Sequence, residues 1–176
     1  FIAFLILSLI YWNYLKLKPI KILRYKLNIF IPLFFLILIF AQIVIGAFVS
    51  GMDAGKIYNS WPLMNYSYFP DDSKIMNLFT INVFNDPSLV QFIHRNLAYL
   101  IFSLYLFILF LVYKKKLFSL YKITNLIGTL LIVQIFLGIL TLLNGAQIYL
   151  ASMHQISSIF LVTSSVYFLY INKKTN

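Results

Sequence analysis

The hydrophobic residues of this chain fall into four long runs that are separated by polar links. Each run holds about 21 to 26 residues, or roughly 31 to 39 Å of helix, which is enough to cross the apolar core of a bilayer. The pattern therefore predicts four membrane-spanning helices, at 29–51, 88–113, 123–143 and 149–171. A fifth apolar run, 1–15, is too short to span, and we expect it to be the end of a truncated helix whose upstream part is missing.

Basic residues give the predicted bundle an orientation. Eleven of the fourteen lie in three clusters, which all fall on one side of the membrane if the four spans are real. By the positive-inside rule this side is the cytoplasm, or the matrix of an organelle. Residues 16–28 are thus a predicted basic cytoplasmic loop and 172–176 a basic cytoplasmic tail.

The opposite side carries a long outer loop, 52–87, which contains all four acidic residues of the chain. Its aromatic residues Tyr58, Trp61, Tyr66 and Tyr68 are typical of a segment at the level of the lipid headgroups.

Composition supports lipid as the solvent, because 62% of the residues are hydrophobic and only 10% are charged. The net charge of +10 does not indicate a nucleic-acid partner, since the basic residues are divided among links between spans instead of sharing one face. The absence of cysteine excludes disulfides and thiolate metal sites. The predicted class is an all-α membrane protein, a transmembrane four-helix bundle at 29–171 preceded by the truncated helix.

Two histidines carry the candidate chemistry. His94 and His154 are the only ones in the chain, and both lie five to seven residues inside the outer ends of their predicted helices, roughly 7 to 10 Å below the interface. Two imidazoles at one depth can bind a haem iron from both sides, whereas zinc or copper would need further ligands at that level. The alternative is that each histidine is a hydrogen-bond partner between helices.

A weak internal repeat accompanies the histidines. Gln42 and Gly46 lie in the outer half of the span before the helix of His94, and Gln134 and Gly138, with the same four-residue spacing, lie at a similar place in the span before the helix of His154. The unit is a helix with Gln-x-x-x-Gly, an outer link, and a helix with His, so two units predict approximate two-fold symmetry about the membrane normal. The glycines are open to two interpretations, as close-packing points or as walls of a cofactor site.

Small residues share the predicted faces of the histidines, namely Ala98, Ala151 and Ser158, and they would leave room for a flat macrocycle. Arg95 follows His94 directly; it could pair with a haem propionate or extend to a lipid phosphate. The chain has no glutamate and no aspartate within a span, which argues against a proton pump and leaves no evident general acid or base. An iron saturated by two histidines favours electron transfer over oxygen activation.

At this point the chain resembles the haem A synthase family, specifically its C-terminal half. The resemblance covers 41–161 and rests on 46–55 (GAFVSGMDAG) with 58–64 (YNSWPLM), on 90–100 (VQFIHRNLAYL), and on 134–143 (QIFLGILTLL) followed by His154-Gln155. One departure is Ile93, where many relatives are expected to have aspartate or asparagine. It affects any polar role at that position, not the histidine beside it.

The resemblance implies a multi-pass oxidoreductase of the bacterial inner (plasma) membrane or mitochondrial inner membrane, built from two related four-helix halves. Such an enzyme oxidises the C8 methyl of haem O to a formyl, giving haem A for cytochrome oxidase. It implies haem b with His94 and His154 as axial iron ligands in this half, and substrate haem O with a functional glutamate in the other. The catalytic half would then be missing, and no catalytic residue is assigned here.

The partners implied are membrane lipid, haem O, haem O synthase and cytochrome oxidase assembly factors; a homo-oligomer is left open. Two other hypotheses stay open at this stage. One is a b-type cytochrome membrane anchor that passes electrons to or from quinone for a partner enzyme. The other is a scaffold in which the histidines are structural.

Overall fold

The computed structural model describes residues 1–18 and 26–173, and every regular element there is helical. The five α-helices are α1 (Ile2–Lys16), α2 (Phe30–Gly51), α3 (Pro87–Lys114), α4 (Phe118–Leu143) and α5 (Ile148–Lys173). The last four are long and apolar enough to cross a membrane. This confirms the predicted all-α class with four spanning helices. Three basic residues of the predicted cytoplasmic loop and tail, Lys21, Arg24 and Lys174, lie outside the described residues.

The first residues of α3 and α4 can be explained by the side chains near them and not by the length of the apolar runs alone. α3 begins after Asp86, whose carboxylate accepts hydrogen bonds from the backbone N–H groups of Ser88 and Leu89, and Pro87 occupies the first helical position. α4 begins at Phe118, five residues before the predicted start. The prediction began the span after Lys122, but a lysine in the first turns of a spanning helix can extend its amine to the interface.

The four long helices form a ring in which each contacts two neighbours. α2 packs against α3, α3 against α4, α4 against α5, and α5 against α2, while α1 lies against α5. α3 and α5, the two histidine helices, are therefore diagonally opposite across the bundle.

Contacts at both ends of the bundle fix its topology. The end of the bundle that carries the basic links is called the inner end. There the Asn172 side chain accepts a hydrogen bond from the Leu27 N–H at 2.9 Å and donates one to the Leu27 carbonyl at 3.1 Å. At the outer end Asn59 donates to the Leu142 carbonyl at 2.8 Å. A Cβ at Gly55 would approach the Cβ of Ala146 to 3.1 Å, so the outer loop and the α4–α5 turn are in close contact.

The largest cluster of buried apolar residues lies in the inner half of the bundle. It includes Phe35, Ile108, Ile127 and Val166, and at Gly128 a Cβ would overlap the hydroxyl of Tyr105. By contrast, none of the residues 40–51, 92–100, 135–143 and 148–160 is fully buried. The helices are thus tightly packed on the inner side and loosely packed at the depth of the histidines.

Candidate functional site

His94 lies in α3, seven residues after its first residue, Pro87, and its imidazole is half-buried against α2. A Cβ added at Gly46 would lie 3.1 Å from the His94 Cε1 atom, so only glycine allows the ring its present position without a shift. The Gln42 side-chain amide donates to the His94 backbone carbonyl at 3.0 Å and lies 3.2 Å from the ring Nε2. α2 therefore holds both the ring and the backbone of His94.

His154 lies in α5, six residues after its first residue, Ile148, and is held by α4 in the same way. A Cβ added at Gly138 would lie 3.2 Å from its Cε1 atom. The Gln134 amide donates to the His154 backbone carbonyl at 3.2 Å and to the Ser157 hydroxyl at 2.6 Å.

The sequence repeat is therefore present in the geometry. Each glutamine lies nine residues, and each glycine five residues, before the last residue of its helix, Gly51 in α2 and Leu143 in α4. In both units the glutamine amide contacts a histidine carbonyl and the glycine faces a histidine Cε1. The two units differ at the rings, because an amide hydrogen bond reaches Nε2 only at His94.

The arrangement suits a flat group bound between α3 and α5. The two histidines occupy diagonal helices, seven and six residues after the first residues of α3 and α5. Their Nδ1 atoms are buried without a hydrogen-bond partner among the described residues. None of the surrounding residues 92–100 and 148–160 is fully buried, and Ala98, Ala151 and Ser158 are half-buried there. Residues and packing thus fit a bis-histidine haem.

Other metal sites fit less well. The described residues contain no group of three or more His, Cys, Asp or Glu side chains that could surround an ion. Structural zinc sites use four such ligands and catalytic ones three. Two histidines alone match the axial positions of haem iron.

The outer loop covers this site, and Arg95 is the residue that joins them. Its guanidinium donates to the carbonyl of Tyr58 at 3.1 Å and to the carbonyl of Leu63 at 3.2 Å, and it contacts the Gln91 side chain at 3.4 Å. Gln91 itself is buried and donates to the same Tyr58 carbonyl at 3.1 Å. The buried Arg95 Nε has no partner among the described residues.

The sequence analysis did not single out Gln91 or the covering loop. The only signal was that Gln91 lies three residues before His94 and so shares its helix face. The side chain of Tyr58, predicted to lie at the headgroup level, is buried within the protein, and its hydroxyl donates to Asp72 at 2.9 Å.

Asp72 accepts hydrogen bonds both from the outer loop and from α3. Burial raises the pKa of its carboxyl, but hydrogen bonds donated by Ser88, at 2.7 Å, and by Tyr58 outweigh this effect and hold the pKa below its usual value. For Tyr58, burial and the bond to Asp72 raise the pKa of the phenol. The ionised Asp72 thus ties the loop to the first turn of α3.

Comparison with known proteins agrees with this geometry. Residues 1–166 match the family described as cytochrome oxidase assembly protein. The chain belongs to the haem A synthase family. A relative named heme A synthase from Pelagibacter ubique (strain HTCC1062) is 46% identical over 175 residues, which are 99% of this chain and 51% of the relative.

Two further relatives carry the same name. That from Rickettsia massiliae (strain Mtu5) is 32% identical, covering 99% of this chain and 53% of its own length. That from Wolbachia pipientis wMel is 41% identical over 80% of this chain and 39% of its own length. The chain thus spans about half the length, or less, of these curated haem A synthases. No solved structure matches it significantly.

Proposed function

We propose that this chain is the haem b-binding part of a haem A synthase, the enzyme that oxidises the C8 methyl of haem O to a formyl and so provides haem A for cytochrome oxidase. The observation that carries the proposal is the matched pair of Gln–Gly–His units, which hold His94 and His154 at one depth on diagonal helices. Family membership supports the same activity.

A haem bound between two histidines supplies one-electron transfer, because both axial positions of its iron are filled. His94 and His154 would be the axial ligands, each oriented by the glycine and glutamine of the preceding helix. The apolar inner core below them, which includes Ile101 and Leu131, would exclude water from that side. The proposed C8 oxidation itself would occur in a half that supplies the substrate site.

Arg95 would bind a haem propionate. Two of its guanidinium nitrogens already bind loop carbonyls, but its buried Nε still has a hydrogen to donate. A charged donor next to an axial histidine suits the propionate edge of a haem that faces the outer side. Arg95 would thereby join the haem, α3 and the covering loop.

The proposal places the protein in the bacterial inner membrane or the mitochondrial inner membrane, with its basic links on the cytoplasmic or matrix side. Haem O would be its substrate, and haem O synthase and cytochrome oxidase assembly factors would be its partners. A homo-oligomer is compatible with the apolar outer surfaces of the helices.

The test is a redox difference spectrum with electron paramagnetic resonance of the purified protein and of its His94→Ala and His154→Ala variants. Each variant should lose the low-spin signal, either through high-spin iron or through loss of haem. Matched controls are Ser103→Ala and Thr163→Ala, each nine residues after one histidine, since both hydroxyls bond only to carbonyls of their own helix. Arg95→Ala should weaken haem retention without changing spin state.

A His154→Ala variant that keeps a normal six-coordinate low-spin haem would refute the axial pair. If the pair is confirmed, conversion of haem O to haem A by the full-length protein decides between the synthase and a b-type cytochrome anchor. An intact low-spin haem with no such conversion would favour the anchor.

A further inference from the structure

The outer loop contains a strongly apolar stretch, the outer apolar segment 75–85, directly before α3. It consists of two short 3₁₀ helices, Ile75–Phe79 and Ile81–Asn85, and it has no charged residue. Five of its large apolar side chains are exposed: Ile75, Met76, Phe79, Ile81 and Phe84. Phe79 is 83% exposed and Ile81 86%.

We propose that the outer apolar segment inserts into the interfacial region of the outer lipid leaflet, so that these side chains contact lipid. The proposal depends on the membrane-spanning helices and not on the haem site. A contiguous apolar surface of this kind is rare in contact with water and usually marks an interaction site.

The segment is continuous with the lipid-facing surface of the bundle. The ring of Phe84 lies 5.4 Å, between centroids, from that of Phe48 in α2, which is itself exposed on the outside of the helix. Phe48 lies three residues before the end of α2, about 4.5 Å below it along the helix axis. Phe84 therefore contacts the last turn of a spanning helix, beside an exposed side chain that would face lipid in a membrane.

The backbone of the segment is suited to an apolar environment. Its turns satisfy their own N–H groups through short-range bonds, from Thr80 to the Asn77 carbonyl at 3.2 Å and from Val83 to the Thr80 carbonyl at 3.2 Å. Unpaired backbone groups are costly in lipid, so local pairing lowers the cost of insertion. Val83 is buried and attaches the segment to the protein from its inner side.

A basic residue flanks the segment, as is common for segments at a membrane interface. Lys74 precedes it directly and can bind lipid phosphate. The nearby carboxylates are engaged within the protein: Asp71 accepts from Ser67, Asp72 from Tyr58 and Ser88, and Asp86 from the first turn of α3.

Insertion would also fix the height of the loop that covers the histidines. The same loop supplies the Tyr58 and Leu63 carbonyls that Arg95 binds. Lipid contact at one end of the loop and Arg95 at the other would hold it across the outer face of the bundle.

These 176 residues contain no cysteine, so a single introduced cysteine can carry a nitroxide label once any cysteine elsewhere in the full-length protein has been replaced by serine. Phe79→Cys and Ile81→Cys would be labelled in the full-length protein in liposomes. The accessibility of each label to oxygen, which partitions into lipid, is compared with its accessibility to a water-soluble nickel chelate. Lys56→Cys is the water reference, since this side chain is 58% exposed and ion-paired with Asp53. Leu100→Cys, exposed midway along α3, is the lipid reference.

The expected result is an oxygen-to-nickel ratio several-fold above that of Lys56→Cys and approaching that of Leu100→Cys. A ratio equal to that at Lys56→Cys would overturn the proposal, because the segment would then face water. Exclusion of both reagents would overturn it as well, because protein would then cover the segment, either from a second copy or from another part of the full-length chain.

Discussion

Replacing the glycines that face the histidines tests the candidate site without lowering the stability of the fold. In Gly46→Ala the new methyl would lie 3.1 Å from the His94 Cε1 atom, and in Gly138→Ala 3.2 Å from that of His154. Carbon atoms prefer separations of about 3.5 to 4.0 Å. The imidazoles must therefore retreat by about 0.4 and 0.3 Å respectively, even to reach the short end of that range.

Such a shift is close to the tolerance of a metal site, which is about 0.5 Å. Alanine at either position should therefore change the electron paramagnetic resonance g-values of a low-spin haem and keep most of the haem. Valine extends the side chain by about one further bond, ~1.5 Å, and should remove the low-spin signal. Stability should not fall with alanine, since alanine within a helix is favoured over glycine by about 0.8 to 1 kcal/mol.

Gly51 provides the matched control, because it ends the same helix as Gly46 and a Cβ there would meet nothing within 4 Å. The assay combines electron paramagnetic resonance of the oxidised protein, haem retention on detergent washing, and thermal unfolding. If the spectra of Gly46→Ala and Gly138→Ala match those of Gly51→Ala, the contact between glycine and imidazole has no part in ligation and the reasoning is refuted.

Three further predictions concern the inner end, the outer loop and the topology. Asn172→Ala should destabilise the protein by about 1 to 3 kcal/mol, because it removes both hydrogen bonds to buried Leu27; an unchanged melting temperature would contradict this. Because the folded state lowers the pKa of Asp72, its ionised carboxylate stabilises the loop fully at pH values above the usual carboxyl pKa of about 4. This contribution is lost as pH falls through the folded-state pKa. Hydrogen-exchange protection of the loop, measured against the intrinsic exchange rate at each pH, should therefore fall in acid, and Asp72→Asn, already loosened at neutral pH, should show a smaller fall. Single cysteines at Lys115 and Asp71 should react with membrane-impermeant reagents from opposite sides, so labelling of both from one side would overturn the topology.

The sequence alone determined the number of spans and singled out the two histidines, and it predicts the orientation of the bundle. Apolar runs of spanning length are visible without tertiary structure because lipid requires each helix to satisfy its own backbone hydrogen bonds. Equal depth followed from helical rise, since His94 and His154 lie at similar distances from predicted helix ends. The motifs around Gly46 and Gly138 led to the family through resemblance, and the family match confirmed it.

Tertiary structure decided what the spacing could not. Only the packed bundle shows that α3 and α5 are diagonal, that each glycine faces a Cε1 atom, and that the tight core ends below the histidines. The sequence also did not predict the fold of the outer loop. Tyr58 was predicted as an interfacial aromatic residue, and no sequence signal indicated that its side chain is buried or that its hydroxyl donates to Asp72. The physical reason is that a spanning helix is selected by its own contact with lipid, whereas the loop is held by long-range hydrogen bonds between residues that no periodicity relates.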